Sequence, residues 1–398
     1  MNGYLFDHEK VKCFGCEACV QICGHSAIEM ITDKEGFRYP HINNEKCIHC
    51  NLCHKVCPYE NMPSKNRDEK IAFGGFLKDK HIKEDSTSGG AFSAIVKAWH
   101  KTGYVVFGAE AHGLRVNHSF SFTVEDTARF RKSKYSQSSM NDMYKKVREF
   151  LLDKQNVLFS GTPCQIAGLK SFLMNIDQTN LTTVEVICEG VPSPLYMKKM
   201  NSDIKKTYGN EISFVDYRYK DKNKWDFEVM MLELENGKRF KKDRWFNPYW
   251  SIWLSHLMNR PSCYHCPFTS PDRLADITLG DLWGVHIYCP DLYGNNEGAS
   301  LILANTSKGR ELLENSKKYL YGHELDFDTA LKYQSPLRKN IEYNPARELF
   351  MKDLMNDELN YRQIVKKWAQ KPSIKLLFQK YIWGNRQKVF IWNLKNRK

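Results

Sequence analysis

The chain has 398 residues, 42% hydrophobic and 26% charged, which fits a globular protein of two or three domains and excludes a collagen-like or low-complexity chain. The net charge of +13 is concentrated at one end: residues 359–398 hold eleven Lys or Arg and no Asp or Glu, leaving +2 (13 minus 11) for everything before them. No window approaches roughly 18 uninterrupted apolar residues and the first ten residues lack a secretory apolar stretch, so no spanning helix is expected. The thirteen cysteines are read as metal-bound or free thiols in a reducing, cytoplasmic compartment.

Eight of those cysteines open the chain in two runs with one rule, Cys13-x2-Cys16-x2-Cys19-x3-Cys23 and Cys47-x2-Cys50-x2-Cys53-x3-Cys57, the second followed by Pro58. Gaps of two curl the backbone around a cubane, and the last cysteine of each run reaches the other cluster in the two-cluster ferredoxin pattern. Cluster one is therefore Cys13, Cys16, Cys19 and Cys57, and cluster two is Cys47, Cys50, Cys53 and Cys23. Gly24 stands where proline is usual, which touches no ligand. Zinc sites and disulfide frameworks use other spacings. This module, residues 1–62, is an electron carrier by its ligand set, and AIEMITDKEGFRYPHI within it predicts a hairpin turning at Asp33 to Gly36.

Polar residues 63–72, with Pro63, predict a linker. From 73 to 325 strands and helices alternate, which predicts a mixed α/β body. GAFSAIVKAWHKTG follows a glycine pair and predicts a helix; YVVFGAEA predicts a strand. MYKKVREFLLDK is an amphipathic helix with Met143, Val147, Phe150 and Leu151 on one face. NVLFS is a buried strand running into the loop GTPC and the helix QIAGLKSFLM; TTVEVIC is another strand. FEVMMLELENGKRFKK is a hairpin turning at Asn-Gly, and ADITLGD and ASLILAN are further buried strands. Residues 326–398 predict a mostly helical, basic region broken by Pro336, Pro345 and Pro372. The fold class is thus α+β: a ferredoxin-like domain, a mixed α/β body and a helical tail.

Five cysteines remain. Cys164 lies in a strand–loop–helix unit, Cys188 ends a strand, and Cys263 and Cys266 form a C-x2-C pair between Pro261 and Pro267. On spacing alone they are four ligands of a third cluster, or two buried thiols and half a zinc site. Ser88-Gly89-Gly90 opens a helix, where free amides bind phosphate. Lys132 to Ser139 offers two lysines, a tyrosine and several hydroxyls for a pyrophosphate or a flavin ring, or a solvated loop. His112 and His118 could handle protons or be solvated or packed histidines. No G-x-G-x-x-G follows a strand, and Gly108 to Gly113 continues as Leu-Arg, so neither a dinucleotide fingerprint nor a P-loop is present.

The segments STSGGAFSAIV (86–96), KSKYSQSS (132–139), GTPCQIAGL (161–169), VICEG (186–190) and CYHCPF with ADITLGDLWG (263–284) resemble, in order, the beta subunit of coenzyme F420 hydrogenases and dehydrogenases over roughly residues 70–320. The fusion to a two-cluster ferredoxin resembles the input subunit of reduced-F420 dehydrogenases, and also bacterial relatives whose gene neighbourhoods concern surface polysaccharides. The resemblance implies FAD within a body spanning 73–325, bounded by Ser88, Gly89, Gly90, Lys134, Tyr135, Ser136 and Thr162, and a third 4Fe-4S cluster on Cys164, Cys188, Cys263 and Cys266. Asp281 falls in a matching motif without an assigned role, and Cys289 is left as a buried or free thiol.

Two functions follow. One is an iron-sulfur flavoprotein oxidoreductase passing electrons, in either direction, between a hydride carrier and ferredoxin-type clusters, with F420 or another small molecule as the carrier. A sugar or lipid-linked glycan intermediate enters only through the neighbourhood resemblance. The other is a non-catalytic relay subunit serving a redox partner protein. A zinc-dependent interaction protein is a third and weaker reading. No residue is singled out as catalytic. The basic, aromatic tail suits an anionic membrane surface at the inner face, an acidic carrier, or packing with a solvated basic face. No nucleic-acid motif accompanies its charge.

Overall fold

The computed structural model describes residues 3–66, 68–100, 105–221, 225–294 and 296–395. In the N-terminal module β1 (Ile28–Thr32) and β2 (Arg38–Ile42) pair antiparallel. Their turn closes where the Phe37 amide donates to Asp33 Oδ1 and Gly36 takes a positive φ. Two helical turns, Ala18–Ile22 and Leu52–Lys55, follow the two cysteine loops and pack on one another.

The remaining elements, in chain order, are β3 (Ile71–Leu77), α1 (Ala91–Trp99), β4 (Val105–His112), β5 (Arg115–Ser121), α2 (Met143–Leu152), β6 (Val157–Gly161), α3 (Pro163–Phe172) and β7 (Leu181–Val186). Then come α4 (Pro194–Tyr208), β8 (Ile212–Tyr219), β9 (Val229–Leu234), β10 (Arg239–Lys242), α5 (Pro248–Leu254), β11 (Ile277–Asp281), β12 (Ser300–Ala304), α6 (Ser307–Lys317) and β13 (Leu320–Leu325). Beyond the sheet the longer helices are α7 (Arg347–Met355), α8 (Tyr361–Trp368) and α9 (Asn385–Lys395), with shorter helical turns at Phe327–Lys332, Ile374–Leu377 and Phe378–Ile382. Of the expected helix at 90–103 and strand at 104–111, residues 101–104 lie outside the described residues, as do 396–398 of the tail.

Eight strands form one sheet in the order β13-β3-β12-β11-β7-β6-β4-β5. Its centre, β11, β7, β6 and β4, is parallel, and antiparallel strands flank it on both sides. The central strands are apolar on both faces, as a sheet covered on both sides requires. Val157 and Phe159 of β6 face one core with α2, α3 and the ferredoxin residues Phe14, Cys16, Ala18 and Val56. Leu158 faces the other core with α1 and α6. The ferredoxin module thus shares a core with the sheet. The antiparallel sheet β8–β9–β10 packs with α4, α5, α7 and α8 around Tyr196, Tyr249, Trp250 and Trp253.

The stretch predicted as a linker is bound to the body. The Asn66 amide donates to Arg273 O at 2.8 Å, Lys65 Nζ donates to Pro267 O at 2.8 Å, and β3 takes up Ile71 and Ala72. In the tail, α8 packs inward through buried Ile364, and Trp368 lies edge-on to Phe350 with its Nε1–H donating to Asp353 at 2.8 Å. Beyond it Ile374, Phe378, Ile382, Trp383 and Phe390 are exposed, while Val389 is buried. Among the described residues no helix is long and apolar enough to cross a membrane.

Candidate cluster and cofactor site

Several N-terminal thiols lie within electrostatic reach of one another, although among the described residues no three stand close enough to form a ready metal site. Burial pushes the Cys16 and Cys19 thiols well above their ordinary range, and the neighbouring Cys57 and Cys13 thiols add to both shifts. Cys57, from the second run, is thus within electrostatic reach of Cys16 and Cys19 of the first. Its own thiol is pushed up to about 11 by burial, with Cys13 contributing. Cys53 is raised by burial, with Cys47 and Cys50 adding to it. Cys23 Sγ accepts the Ala27 amide at 3.3 Å. Cys53 also adds electrostatically to the Cys19 shift, and Cys50 is exposed.

The four later cysteines come from three places in the sheet. Cys164 leaves the end of β6 at the first turn of α3, Cys188 follows β7, and Cys263 and Cys266 sit on the loop ahead of β11. All four line one small cavity of about 50 Å3, together with Phe14 of the ferredoxin module. Burial raises the thiol of Cys164 to about 11 and that of Cys263 to about 12, and Cys266 adds to both. Cys188 is raised further, by burial and then by Cys263 and Cys164.

Two glycines let these parts meet. Gly190 has φ +92, and a Cβ there would stand 2.5 Å from Asn259 Nδ2 and 3.3 Å from Cys263 Cβ. A Cβ on Gly168 of α3 would stand 2.8 Å from Cys16 Cβ. The loop of Cys263 and Cys266 is fixed by a buried ion pair. Arg273 Nε donates to Glu185 Oε1 of β7 at 2.5 Å, while Arg273 Nη1 donates to Phe268 O at 2.6 Å and Ser270 O at 3.0 Å.

A second cavity, about 540 Å3, opens at the carboxyl ends of β6, β7 and β11, where α/β sheets bind ligands. Cys188, Glu189, Gly190 and Val191 line both cavities and form the wall between them. Ser88, Gly90, Lys134, Tyr135, Ser136 and Thr162 all line the larger one. Gly89 serves packing instead: its amide donates to Ser300 Oγ at 2.9 Å, and a Cβ would meet Gly75 O at 2.5 Å. Ser88 Oγ donates to Ala299 O at 2.6 Å. Burial lowers the Lys134 pKa to about 7, and its ammonium donates to Arg131 O at 2.6 Å and Arg129 O at 3.2 Å. The Tyr135 ring stands edge-on to Trp250 and Trp253, at 5.1 and 4.9 Å. Thr162 caps α3, its amide donating to Gln165 Oε1 at 3.0 Å and its hydroxyl lying 3.1 Å from Cys164 Sγ.

His118 is a satisfied, packed histidine. Its Nδ1 accepts from Ser138 Oγ at 2.8 Å, its Nε2 lies 2.9 Å from Ser160 O, and the ring stacks on Phe159. Burial lowers its pKa to about 4, so it stays neutral near pH 7. Exposed His112 lies 3.5 Å from Glu110. Cys289 is buried among Leu282, Val285 and Leu292, apart from both cavities. Asp281 Oδ2 accepts from Arg218 Nη1 at 2.9 Å.

Sequence reasoning missed Arg218. It is buried in the cavity wall over the rings of Trp225 and Trp283, and its Nε and Nη2 atoms have no hydrogen-bond partner. It stands in a strand without a motif, so nothing local marked it. Arg260, also missed, stands just ahead of the helical turn Pro261–His265 and is among the largest fully buried side chains.

Two family models match parts of the chain. Residues 12–61 match the 4Fe-4S dicluster domain, and residues 154–327 match the C terminus of the coenzyme F420 hydrogenase/dehydrogenase beta subunit. A polyferredoxin-like protein of Methanocaldococcus jannaschii is 44% identical over 54 residues, which cover 12% of this chain and 32% of that protein. The chain thus spans about a third of the length of that relative. A chain of the F420-reducing NiFe hydrogenase complex from Methanosarcina barkeri aligns with a TM-score of 0.43 and 16% identity, covering 76% of this chain and 91% of that one. The N-terminal domain is of the type that holds two 4Fe-4S clusters. Residues 154–327 belong to the coenzyme F420 hydrogenase/dehydrogenase beta-subunit family, joined in this chain to an N-terminal 4Fe-4S dicluster domain.

Proposed function

We propose that the chain is an iron-sulfur flavoprotein oxidoreductase linking a two-electron hydride carrier to single-electron chemistry on ferredoxin-type clusters. The observation that carries this reading is a continuous series of contacts. The large cavity meets the small one at Cys188 to Val191. The small cavity meets the first ferredoxin loop at Phe14, and Cys53 of the second run is within electrostatic reach of Cys19 in the first. Exposed Cys50 ends the series at the surface, where a redox partner protein would dock.

Cys164, Cys188, Cys263 and Cys266 would hold a third 4Fe-4S cluster, since all four thiols line one cavity. The large cavity fits FAD by its size, by the aromatic faces of Tyr135, Trp250 and Trp253, and by the unpartnered nitrogens of buried Arg218. A bound flavin supplies the exchange of a hydride for single electrons. Lys134, Ser136 and the α3 N-terminus at Thr162 would hold its pyrophosphate. The wall at Cys188 to Val191 separates the two cavities. The carrier is F420 or another small hydride carrier; a surface-polysaccharide intermediate is the remaining substrate class.

Anaerobic purification followed by iron, sulfide and flavin analysis tests this reading, with about twelve irons and one flavin per chain expected. Cys263→Ser/Cys266→Ser should lower iron to about eight, keep the flavin, and abolish flavin-to-ferredoxin transfer in rapid-mixing spectra. Unchanged transfer in that variant would refute it. Clusters without flavin would instead establish the relay subunit.

The tail supports contact with an anionic membrane surface on the cytoplasmic side. Its exposed Ile374, Phe378, Ile382, Trp383 and Phe390 lie among lysines and arginines without any acidic residue.

A further inference from the structure

Arg260 is 1% exposed, and among the described residues no carboxylate forms an ion pair with it. Its guanidinium is committed to the ferredoxin loop. Nε donates to Cys13 O at 2.9 Å, Nη2 to Arg38 O at 2.9 Å, and Nη1 to Gln137 Oε1 at 3.2 Å. Nη2 also stands 3.5 Å from Cys13 Sγ, and the group lies 4.3 Å over the ring of Tyr39. Its backbone belongs to the other centre. The Arg260 amide donates to Val191 O at 2.9 Å, and Arg260 O accepts the Cys263 amide at 2.9 Å. The Val191 amide in turn donates to Cys263 Sγ at 3.4 Å.

A buried, unpaired cation is costly, and backbone carbonyls, an amide and a ring compensate it only in part. Something anionic must complete its environment. A cubane held by four thiolates is such an anion, and its negative charge grows by one when it accepts an electron. Net charge and hydrogen bonds to the sulfurs set the potential of such clusters. Arg260 contacts a ligand of cluster one through its side chain and carries the loop of the inner ligands on its backbone.

We infer that Arg260 is the shared counter-ion of cluster one and the inner Cys164/Cys188/Cys263/Cys266 centre, raising the reduction potential of both so that an electron passes between them without a large step. The inference rests on the proposed inner cluster. Arg260 is a positioning and tuning residue, and takes no part in any bond that forms or breaks.

Potentiometric titration of the full chain, followed by the spin resonance of each centre, tests it. Arg260→Gln should lower the reduced-to-oxidised ratio of both centres at least tenfold at fixed ambient potential, about 59 mV for a one-electron couple. Arg260→Lys keeps the charge and loses the fork, and should stay within about threefold of the native ratio. Gln137→Glu leaves the guanidinium in place, sets a carboxylate against it, and should shift both centres in the direction of Arg260→Gln. Native potentials in a cluster-loaded Arg260→Gln would overturn the inference, as would a Lys variant shifted as far as the Gln variant, which marks a structural role only. Where Arg260→Gln does not load its clusters, Gln137→Glu decides: a downward shift upholds the inference and native potentials overturn it. An iron count near eight in the native protein would remove the inner centre, and cluster one alone would then report on Arg260.

Discussion

Cys16 of the first ferredoxin loop lies directly against Gly168 on α3, one helical turn beyond Cys164. A Cβ on Gly168 would stand 2.8 Å from Cys16 Cβ and 3.0 Å from its Sγ. The absent side chain lets the first ferredoxin loop touch the helix that carries Cys164. Gly168→Ala should cost about 1–3 kcal/mol through overpacking and weaken the magnetic coupling between cluster one and the inner centre. Thermal unfolding and spin-resonance line shapes check both; native line shapes with native stability would contradict it.

The Arg273–Glu185 pair holds the loop of Cys263 and Cys266 to β7, and both side chains are nearly inaccessible. Thr278 Oγ1 also donates to Glu185 Oε1, at 2.9 Å. Arg273→Met strands the carboxylate and should destabilise the fold by about 3–5 kcal/mol. Adding Glu185→Met should recover much of that loss. Chemical denaturation of the three proteins gives the comparison. Equal losses in the single and double variants would show that packing, not the pair, holds the loop.

Lys134 supplies a pH dependence. Burial lowers its pKa to about 7; Glu110 opposes that shift, Lys132 adds to it, and Asp85 and Asp216 oppose it. Two of its three donors serve Arg129 O and Arg131 O, leaving one for a ligand when the amine is protonated. An anion favours the protonated form, so flavin affinity should rise as pH falls through 7 and weaken above it, by at most about tenfold per pH unit. Lys134→Met should flatten the curve. Fluorescence titration of the flavin between pH 6 and 9 measures both, and a flat curve for the native protein would exclude Lys134 from the phosphate site.

The tail beyond α8 should bind vesicles that contain anionic lipid at low salt and release them as salt rises, each basic residue near the surface contributing about 1 kcal/mol. Deleting 370–398 spares α8, whose Ile364 is buried, and should abolish binding. Co-sedimentation at several salt concentrations decides; equal binding by the truncated chain would place the contact elsewhere.

The cysteine runs were legible because a cubane fixes its ligand spacing locally, and the central strands because burial on both faces leaves continuous apolar runs such as SLILA in β12. The edge strands were not. In β5, Arg115–Ser121, and β13, Leu320–Leu325, one side lacks a neighbour, so polar residues interrupt the pattern. The inner four cysteines could be picked out but not grouped from spacing, since three separate loops bring them together. Arg218 and Arg260 were invisible because their meaning lies in what faces them across the fold. Gly89 was read toward a ligand, while its crowding against Gly75 and Ser300 is a matter of sheet packing.

The eight N-terminal thiols are all translated by Cys57, whereas the inner four share a cavity only after β6, β7 and the segment ahead of β11 lie side by side. If the proposed inner cluster forms, iron delivery has an order: the leading thiols are available early, and the inner site must wait for the finished sheet on which the ferredoxin residues Phe14, Cys16, Ala18 and Val56 also pack. Maturation would leave a recognisable half-filled species, competent to hold electrons at its outer end and unable to exchange them with the larger cavity.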